Sequence, residues 1–155
     1  MNTRSQGTNA NYTGKQLEEF IKNQLDSLGY RSVDKHQFRP ALYLEQPIYA
    51  QQFYPGQSIY GTSLFCDFIV YHPEKWPTCL WIEAKWQQTS GSVDEKYPFL
   101  VANLKSHPEY RSIIVLDGGG YKPGAEAWLR NQTDDVLRHV FNMSQFQIWT
   151  NKGNL

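Results

Sequence analysis

The sequence is poor in several features that mark particular classes of protein. Only two cysteines occur among 155 residues, without a Cys-x-x-Cys pair, so neither a disulfide scaffold nor a structural zinc knuckle is expected. No apolar run reaches the roughly 18 residues that a membrane-spanning helix needs. The polar start, MNTRSQGTNANYTG, lacks the apolar centre of a secretion signal. These absences lead us to expect a soluble, cytoplasmic protein.

An excess of charge is also missing. Fifteen basic and fifteen acidic side chains give a formal net charge of zero, which argues against binding to polyanions by bulk charge alone but allows a local basic cleft. Aromatic side chains, in contrast, are abundant at 15%. Such residues serve cores, interfaces and base-stacking surfaces alike, so their abundance leaves the function open.

The pattern of apolar residues predicts a single α/β domain over 13–155, preceded by a mobile polar arm over 1–12. Apolar positions spaced as on one face of a helix, together with capping residues, predict helices over 13–28 and 92–106. Runs of β-branched and aromatic residues predict the main strands, over 63–71, 79–87 and 111–117. Weaker signals predict a strand within 30–38, a helix over 123–131, a helical stretch over 134–138 and a last strand over 144–150.

Two of the predicted strands carry the residues that could do chemistry. Asp67 interrupts an apolar strand, and the next strand contains Glu83 and Lys85 on one face, since side chains alternate along a strand. Two carboxylates at close range repel each other unless a cation lies between them. Hard oxygen ligands favour Mg²⁺, and a lysine at the same ion could orient water or neutralise a developing negative charge. This combination suits phosphodiester hydrolysis.

The same three residues have a simpler interpretation. Glu83 and Lys85 could form a solvated salt pair, and Asp67 could cap a turn. An aspartate within a strand is nevertheless uncommon, because Asp is poorly suited to strands and costly to bury without a partner.

The order of these elements resembles the PD-(D/E)XK nuclease superfamily, which includes restriction endonucleases, homing endonucleases and junction resolvases. The resemblance runs from Gly14 to about Arg130 and includes a G-x-x-L-E helix start, at Gly14, Leu17 and Glu18, and a Gln two residues after the lysine, at Gln87. The stretches SGSVDEK and VLDGGGYKPGAEAWL are also similar to compact bacterial members. One departure is Cys66, where the family often has Pro. The resemblance implies a restriction-endonuclease-like mixed central β-sheet of four or five strands, flanked by helices.

It also implies roles for individual residues. Asp67 and Glu83 would bind Mg²⁺, with Mn²⁺ as the alternative ion, together with the backbone carbonyl of Ala84. Lys85 would be the catalytic lysine, and Glu18 and Gln87 would tune the site from its edge. Lys96 has two interpretations, a phosphate ligand or an ordinary exposed lysine.

The implied activity is metal-dependent endonucleolytic cleavage of DNA, of the restriction or homing type. The alternative is a non-catalytic DNA-binding or assembly subunit built on a nuclease-like core. One catalytic set per chain favours a homodimer or a higher homo-oligomer for an enzyme that cuts two strands.

The segment 40–62, rich in Tyr, Gln and Pro, keeps no single period. A stretch of this kind is either a hairpin that the pattern hides or a functional loop. As a loop it could serve oligomer contacts or read DNA, with Gln suited to adenine and Arg to guanine. The candidate DNA-reading side chains are Arg39, Gln51, Gln52 and Gln57.

Overall fold

A computed structural model describes the backbone of residues 3–155 and the side chains of residues 13–91 and 93–155. Six strands form one mixed sheet in the order β1-β2-β3-β4-β5-β6. The strands are β1 (Arg31–Ser32), β2 (Ile48–Phe53), β3 (Cys66–His72), β4 (Trp76–Trp86), β5 (Arg111–Asp117) and β6 (Leu137–Phe141). The helices are α1 (Thr3–Ser27), α2 (Phe38–Ala41), α3 (Tyr97–Lys105), α4 (Pro123–Arg130) and α5 (Met143–Asn151), with 3₁₀ turns at Leu42–Leu44 and Ser92–Lys96. The expected α/β fold is confirmed, with more strands than the four or five predicted.

The sheet combines an antiparallel centre with parallel edges. Strands β2, β3 and β4 are antiparallel neighbours. Strand β1 pairs parallel with β2, and β5 and β6 continue parallel from β4. Parallel neighbours require a crossover connection, and α3 and α4 supply the crossovers on the β4–β5–β6 side. The long strand β4 is therefore the junction between the hairpin half and the crossover half of the sheet.

Each face of the sheet has its own apolar core. On the α1 face, helices α1 and α5 pack through Leu17, Ile21 and Phe146 against side chains such as Ile82 of β4. On the α3 face, Tyr97, Val101 and other apolar residues of α3 and α4 cover the opposite surface of the sheet. The alternation of β4 divides its side chains between the two cores. The predicted helices over 13–28 and 92–106 thus flank the sheet from opposite sides.

The first helix begins at Thr3, earlier than the predicted start at Thr13. Of the arm predicted over 1–12, the first two residues lie outside the described part of the chain, and the rest is described only as helical backbone. Its mobility stays a prediction. No helix within residues 3–155 is long and apolar enough to cross a membrane.

The structure corrects two of the weaker predictions and resolves one stretch that the sequence pattern left open. The stretch 134–138 is not helical: Asp134 Oδ1 accepts from the backbone N–H of Leu137, and this turn leads into β6. The stretch 144–150 is the helix α5 and not a strand, because Asn142 and Gln145 form a capping box at its start. The segment 40–62 contains β2, so the hidden-hairpin interpretation is correct for part of it, and a loop over 54–65 remains.

The glycines after β5 bring two chain segments into close contact. A Cβ on Gly118 would lie 2.4 Å from the carbonyl oxygen of Gln87, and one on Gly120 would lie 2.3 Å from the carbonyl carbon of Gln88. The N–H of Gly120 donates to the carbonyl of Gln87 at 2.7 Å. The three glycines therefore form a tight exit from β5 that passes over the end of β4, where a side chain would not fit. No phosphate-loop motif follows these glycines in the sequence.

Candidate active site

Asp67 lies at an irregular point of the sheet. Opposite it in β2, Gln52 has a left-handed backbone with φ 55°, and regular pairing resumes only between Phe53 and Cys66. The alternation of side chains is interrupted there, since Ala50 and Phe53, three residues apart, belong to the same core. Asp67 itself is partly buried, and its Oδ2 accepts from the backbone N–H of Ala84 at 2.8 Å.

Glu83 is the most deeply buried carboxylate of the site, with 4% of its surface exposed. Its Oε1 accepts from the indole N–H of Trp81 at 2.7 Å and from the backbone N–H of Asp67 at 3.4 Å. Its Oε2 lies 3.5 Å from Nζ of Lys85. Burial raises the pKa of Glu83, and the neighbouring Asp67 raises it further, whereas Lys85 and the Trp81 hydrogen bond lower it.

Lys85 extends from this buried pair toward solvent. Its side chain is 39% exposed, against 5% for that of Glu83. It opens into a cleft of about 380 Å³ between β4 and α3, which Lys96 and Tyr97 line from the other side. The ammonium group is therefore available both to Glu83 and to a molecule in the cleft.

Glu18 approaches the same groups from α1. It is partly buried, whereas its neighbour Glu19 is exposed. Burial raises the pKa of Glu18, and Asp67 raises it further, while Lys85 and Lys15 lower it. These influences put Glu18 within electrostatic range of the site.

Gln87 is buried and its amide is fully engaged elsewhere. Its Oε1 accepts from the hydroxyl of Tyr97 at 2.6 Å, and its Nε2 donates to the carbonyls of Thr89 and Gly120 at 3.4 Å each. These bonds join the end of β4 to α3 and to the glycine exit from β5. Gln87 therefore positions the strand that carries Lys85.

The candidate DNA-contacting residues are spread over the surface. Only Lys96 lines the cleft beside Glu83 and Lys85. Arg39 stacks on the ring of Phe53, 4.5 Å from its centroid, and lines a separate pocket. The remaining three, all glutamines, lie on β2 and in the loop after it: Gln51, Gln52 and Gln57.

Two carboxylates and one backbone carbonyl are the oxygen donors that the site offers to a divalent cation. Within the described side chains, no three His, Cys, Asp or Glu groups lie close enough together to hold a metal ion. Mg²⁺ does not need such a cage, because it keeps several waters and takes one or two carboxylates. In an extended strand the N–H and C=O of one residue point the same way, so the Ala84 carbonyl faces Asp67, as its N–H does. Asp67, Glu83 and this carbonyl fit a hydrated Mg²⁺.

Trp81 and Tyr97 hold the site residues in place and were not singled out from the sequence. The strand period puts Trp81 on the same face as Glu83, which is a signal for their contact. The bond between Tyr97 and Gln87 joins residues of different elements, and no local pattern indicates it.

The comparison with known protein families identifies the superfamily of the chain. A sequence model described as a PD-(D/E)XK nuclease superfamily domain matches residues 9–154, nearly the whole chain. No curated protein and no solved structure matches the chain.

Proposed function

The chain belongs to the PD-(D/E)XK nuclease superfamily, and we propose that it is a divalent-metal-dependent endonuclease that hydrolyses phosphodiester bonds of DNA, of the restriction or homing type. The observation that carries this proposal is the contact between Asp67 and the Glu83-Ala84-Lys85 stretch. Asp67 bonds to the N–H of Ala84, and Glu83 lies between Asp67 and Lys85. The acidic and basic groups that phosphodiester hydrolysis needs thus meet at one end of a cleft.

Each residue of the site has a separate role in the proposed hydrolysis. Asp67, Glu83 and the carbonyl of Ala84 would hold Mg²⁺ or Mn²⁺. When bound, the ion would polarise the phosphate and favour ionisation of a bound water. Lys85, beside Glu83 and open to the cleft, orients the attacking water and offsets the charge that grows on the phosphate oxygens.

Residues around this centre have supporting roles in the proposal. Glu18 adds a third acidic group at the α1 edge and affects the protonation of its neighbours. Gln87 keeps the end of β4 against Tyr97. Lys96 lines the cleft, and from there it would contact a phosphate next to the one that is cut.

We also propose that the protein is a homo-oligomer and that it acts in the cytoplasm. One set of Asp67, Glu83 and Lys85 per chain favours a homodimer or a higher homo-oligomer, because a single set cuts one strand at a time. Both cysteines are free and buried, which agrees with the reducing conditions of the cytoplasm.

Nicking of a supercoiled plasmid tests the activity. We expect relaxation and linearisation in the presence of Mg²⁺, and loss of both when a chelator is in excess. Asp67→Asn, Glu83→Gln and Lys85→Ala should each abolish cutting, whereas Glu19→Gln, on the exposed side of α1, should cut like the parent.

The outcome also separates the two candidate functions. Undiminished cutting in chelator or in the three variants would refute the metal-dependent mechanism. Binding of plasmid without any cutting in Mg²⁺ or Mn²⁺ would favour the non-catalytic DNA-binding or assembly subunit instead.

A further inference from the structure

Four exposed aromatic side chains form what we call the aromatic rim: Phe65 and Phe99 line the cleft, Tyr60 stacks on Phe99, and Tyr54 lies beside Phe65. Tyr60 is 77% exposed and stacks on Phe99, with ring centroids 5.1 Å apart. Phe65 is 53% exposed, and its ring centroid lies 6.1 Å from that of Tyr54. Single exposed apolar residues are ordinary, but a group of rings around one opening indicates a binding surface.

Phe65 joins the active-site cleft to a second pocket. It lines the cleft that contains Glu83 and Lys85, and it also lines a neighbouring pocket of about 460 Å³. The second pocket contains Lys35 and Arg39, and its lining includes no acidic side chain. Lys35 places its Nζ 5.6 Å from the centroid of the Phe65 ring. A cationic pocket thus lies next to the candidate site, and one exposed ring lines both.

The loop that carries most of the rim is fixed to α3 and its end. The N–H of Ile59 donates to Oδ1 of the buried Asn103 at 2.9 Å, and the carbonyl of Gln57 accepts from Nε2 of His107 at 2.7 Å. The hydroxyls of Ser58 and Thr62 are 2.6 Å apart and close the turn. Since its backbone is held in this way, the loop presents its rings at little entropic cost on binding.

We propose that the aromatic rim and the second pocket bind an unpaired stretch of the DNA strand that enters the cleft, and the inference rests on the function proposed above. Bases stack on Phe65 and Tyr54, while Lys35 and Arg39 contact the phosphates that follow. Flat aromatic faces beside cationic groups are the features that hold single-stranded nucleic acid with little sequence preference. The preferred substrate of the proposed endonuclease is accordingly a duplex with an unpaired segment.

An unpaired strand fits the aromatic rim better than an intact duplex does. In a duplex both faces of each internal base are covered by its neighbours, so Phe65 has no base to stack on. The chain also carries no net charge, so phosphate attraction alone provides little affinity. Stacking on the rim supplies the attraction that the charge balance does not.

Binding measurements in chelator, with the full-length chain, test the inference without cleavage. The probes are a fluorescent single-stranded oligonucleotide and the blunt duplex of the same sequence, followed by anisotropy. We expect the single strand to bind more tightly, and Phe65→Ala to weaken its binding by about tenfold, the loss typical of one base–aromatic stack. Phe65→Trp should keep the affinity, and Tyr43→Ala, at a 91% exposed aromatic outside both pockets, should leave it unchanged.

The controls cover folding and the proposed activity. If Phe65→Ala melts earlier than the parent, Phe65→Leu keeps the apolar bulk without a ring and should show the same loss. Unchanged single-strand binding in folded Phe65→Ala or Phe65→Leu, or an equal loss for the duplex, would overturn the inference. If the parent nicks plasmid but its binding of single strands does not depend on Phe65, only this inference is wrong. If binding depends on Phe65 but the parent does not nick plasmid, only the proposed enzymatic activity is wrong.

Discussion

Trp81 holds the buried carboxylate of Glu83 through a hydrogen bond of 2.7 Å from its indole N–H to Oε1. The two residues are neighbours on one face of β4, and Trp81 also packs in the core on the α3 face. This bond occupies Oε1, whereas Oε2 lies 3.5 Å from Nζ of Lys85. In the proposed enzyme, Oε2 would therefore be the oxygen of Glu83 that binds the ion.

Trp81→Phe should destabilise the protein and reduce cleavage. The substitution removes the shorter of the two hydrogen bonds to a buried carboxylate oxygen, which costs about 1–3 kcal/mol of the free energy of unfolding. Denaturant unfolding and plasmid nicking measure the two effects. Trp86→Phe is the matched control, because among the described residues no acceptor lies opposite the buried Nε1 of Trp86. Equal losses in both variants would show that ring size, and not the bond to Glu83, matters.

Mg²⁺ should raise the melting temperature of the metal-free protein. A hundredfold excess over the Kd adds about 2.7 kcal/mol, which for a chain of this length corresponds to roughly 5–10 °C. Lys85→Ala should keep this shift, while Asp67→Asn and Glu83→Gln should lose most of it. The latter two relieve repulsion between the carboxylates, so they should melt no earlier than the parent without metal. A full shift in both would place the ion elsewhere.

Glu18→Gln should lower the rate of cleavage, and Glu19→Gln should not. Glu18 is partly buried, and the charges of Asp67 and Lys85 act on its pKa, whereas its neighbour Glu19 is exposed to water. The change at position 19 should alter the free energy of unfolding by less than about 0.5 kcal/mol. Nicking rates and denaturant curves compare the two variants. Identical rates in both would reduce Glu18 to a surface ion pair on the flank of α1.

The protein should behave as a homodimer or a higher homo-oligomer in solution. Multi-angle light scattering with and without a DNA probe measures the mass directly against the 18.0 kDa of one chain. A single-chain mass in both conditions would contradict the expectation, and a change only with DNA would show that the substrate assembles the pair.

Part of the site could be predicted because it depends on local periodicity. The strand repeat puts Glu83 and Lys85 on one face, and the helical repeat separates Glu18 from Glu19. Both relationships follow from backbone geometry alone. The strand β2 was missed as such, because the left-handed Gln52 breaks the alternation that would have indicated it.

Other features depend on contacts that no short pattern contains. The aromatic rim is assembled from the loop over 54–65 and from α3, and only the folded chain brings Tyr60 to Phe99. The strand predicted over 144–150 is wrong for a different reason. The spacing of Asn142 and Gln145 is a capping box that the sequence does display, but the aromatic residues that follow it favour a strand by their composition.

The crossing of Gly118 and Gly120 over Gln87 and Gln88 has a consequence for which positions tolerate mutation. Any side chain at either glycine would meet peptide backbone at less than 3 Å and would have to displace the end of β4, two residues beyond Lys85. We expect random mutagenesis to find inactive variants here as readily as at Asp67, although neither glycine has a group that could act on a phosphate. Two positions without any catalytic group are thus expected to be as intolerant of substitution as the catalytic positions.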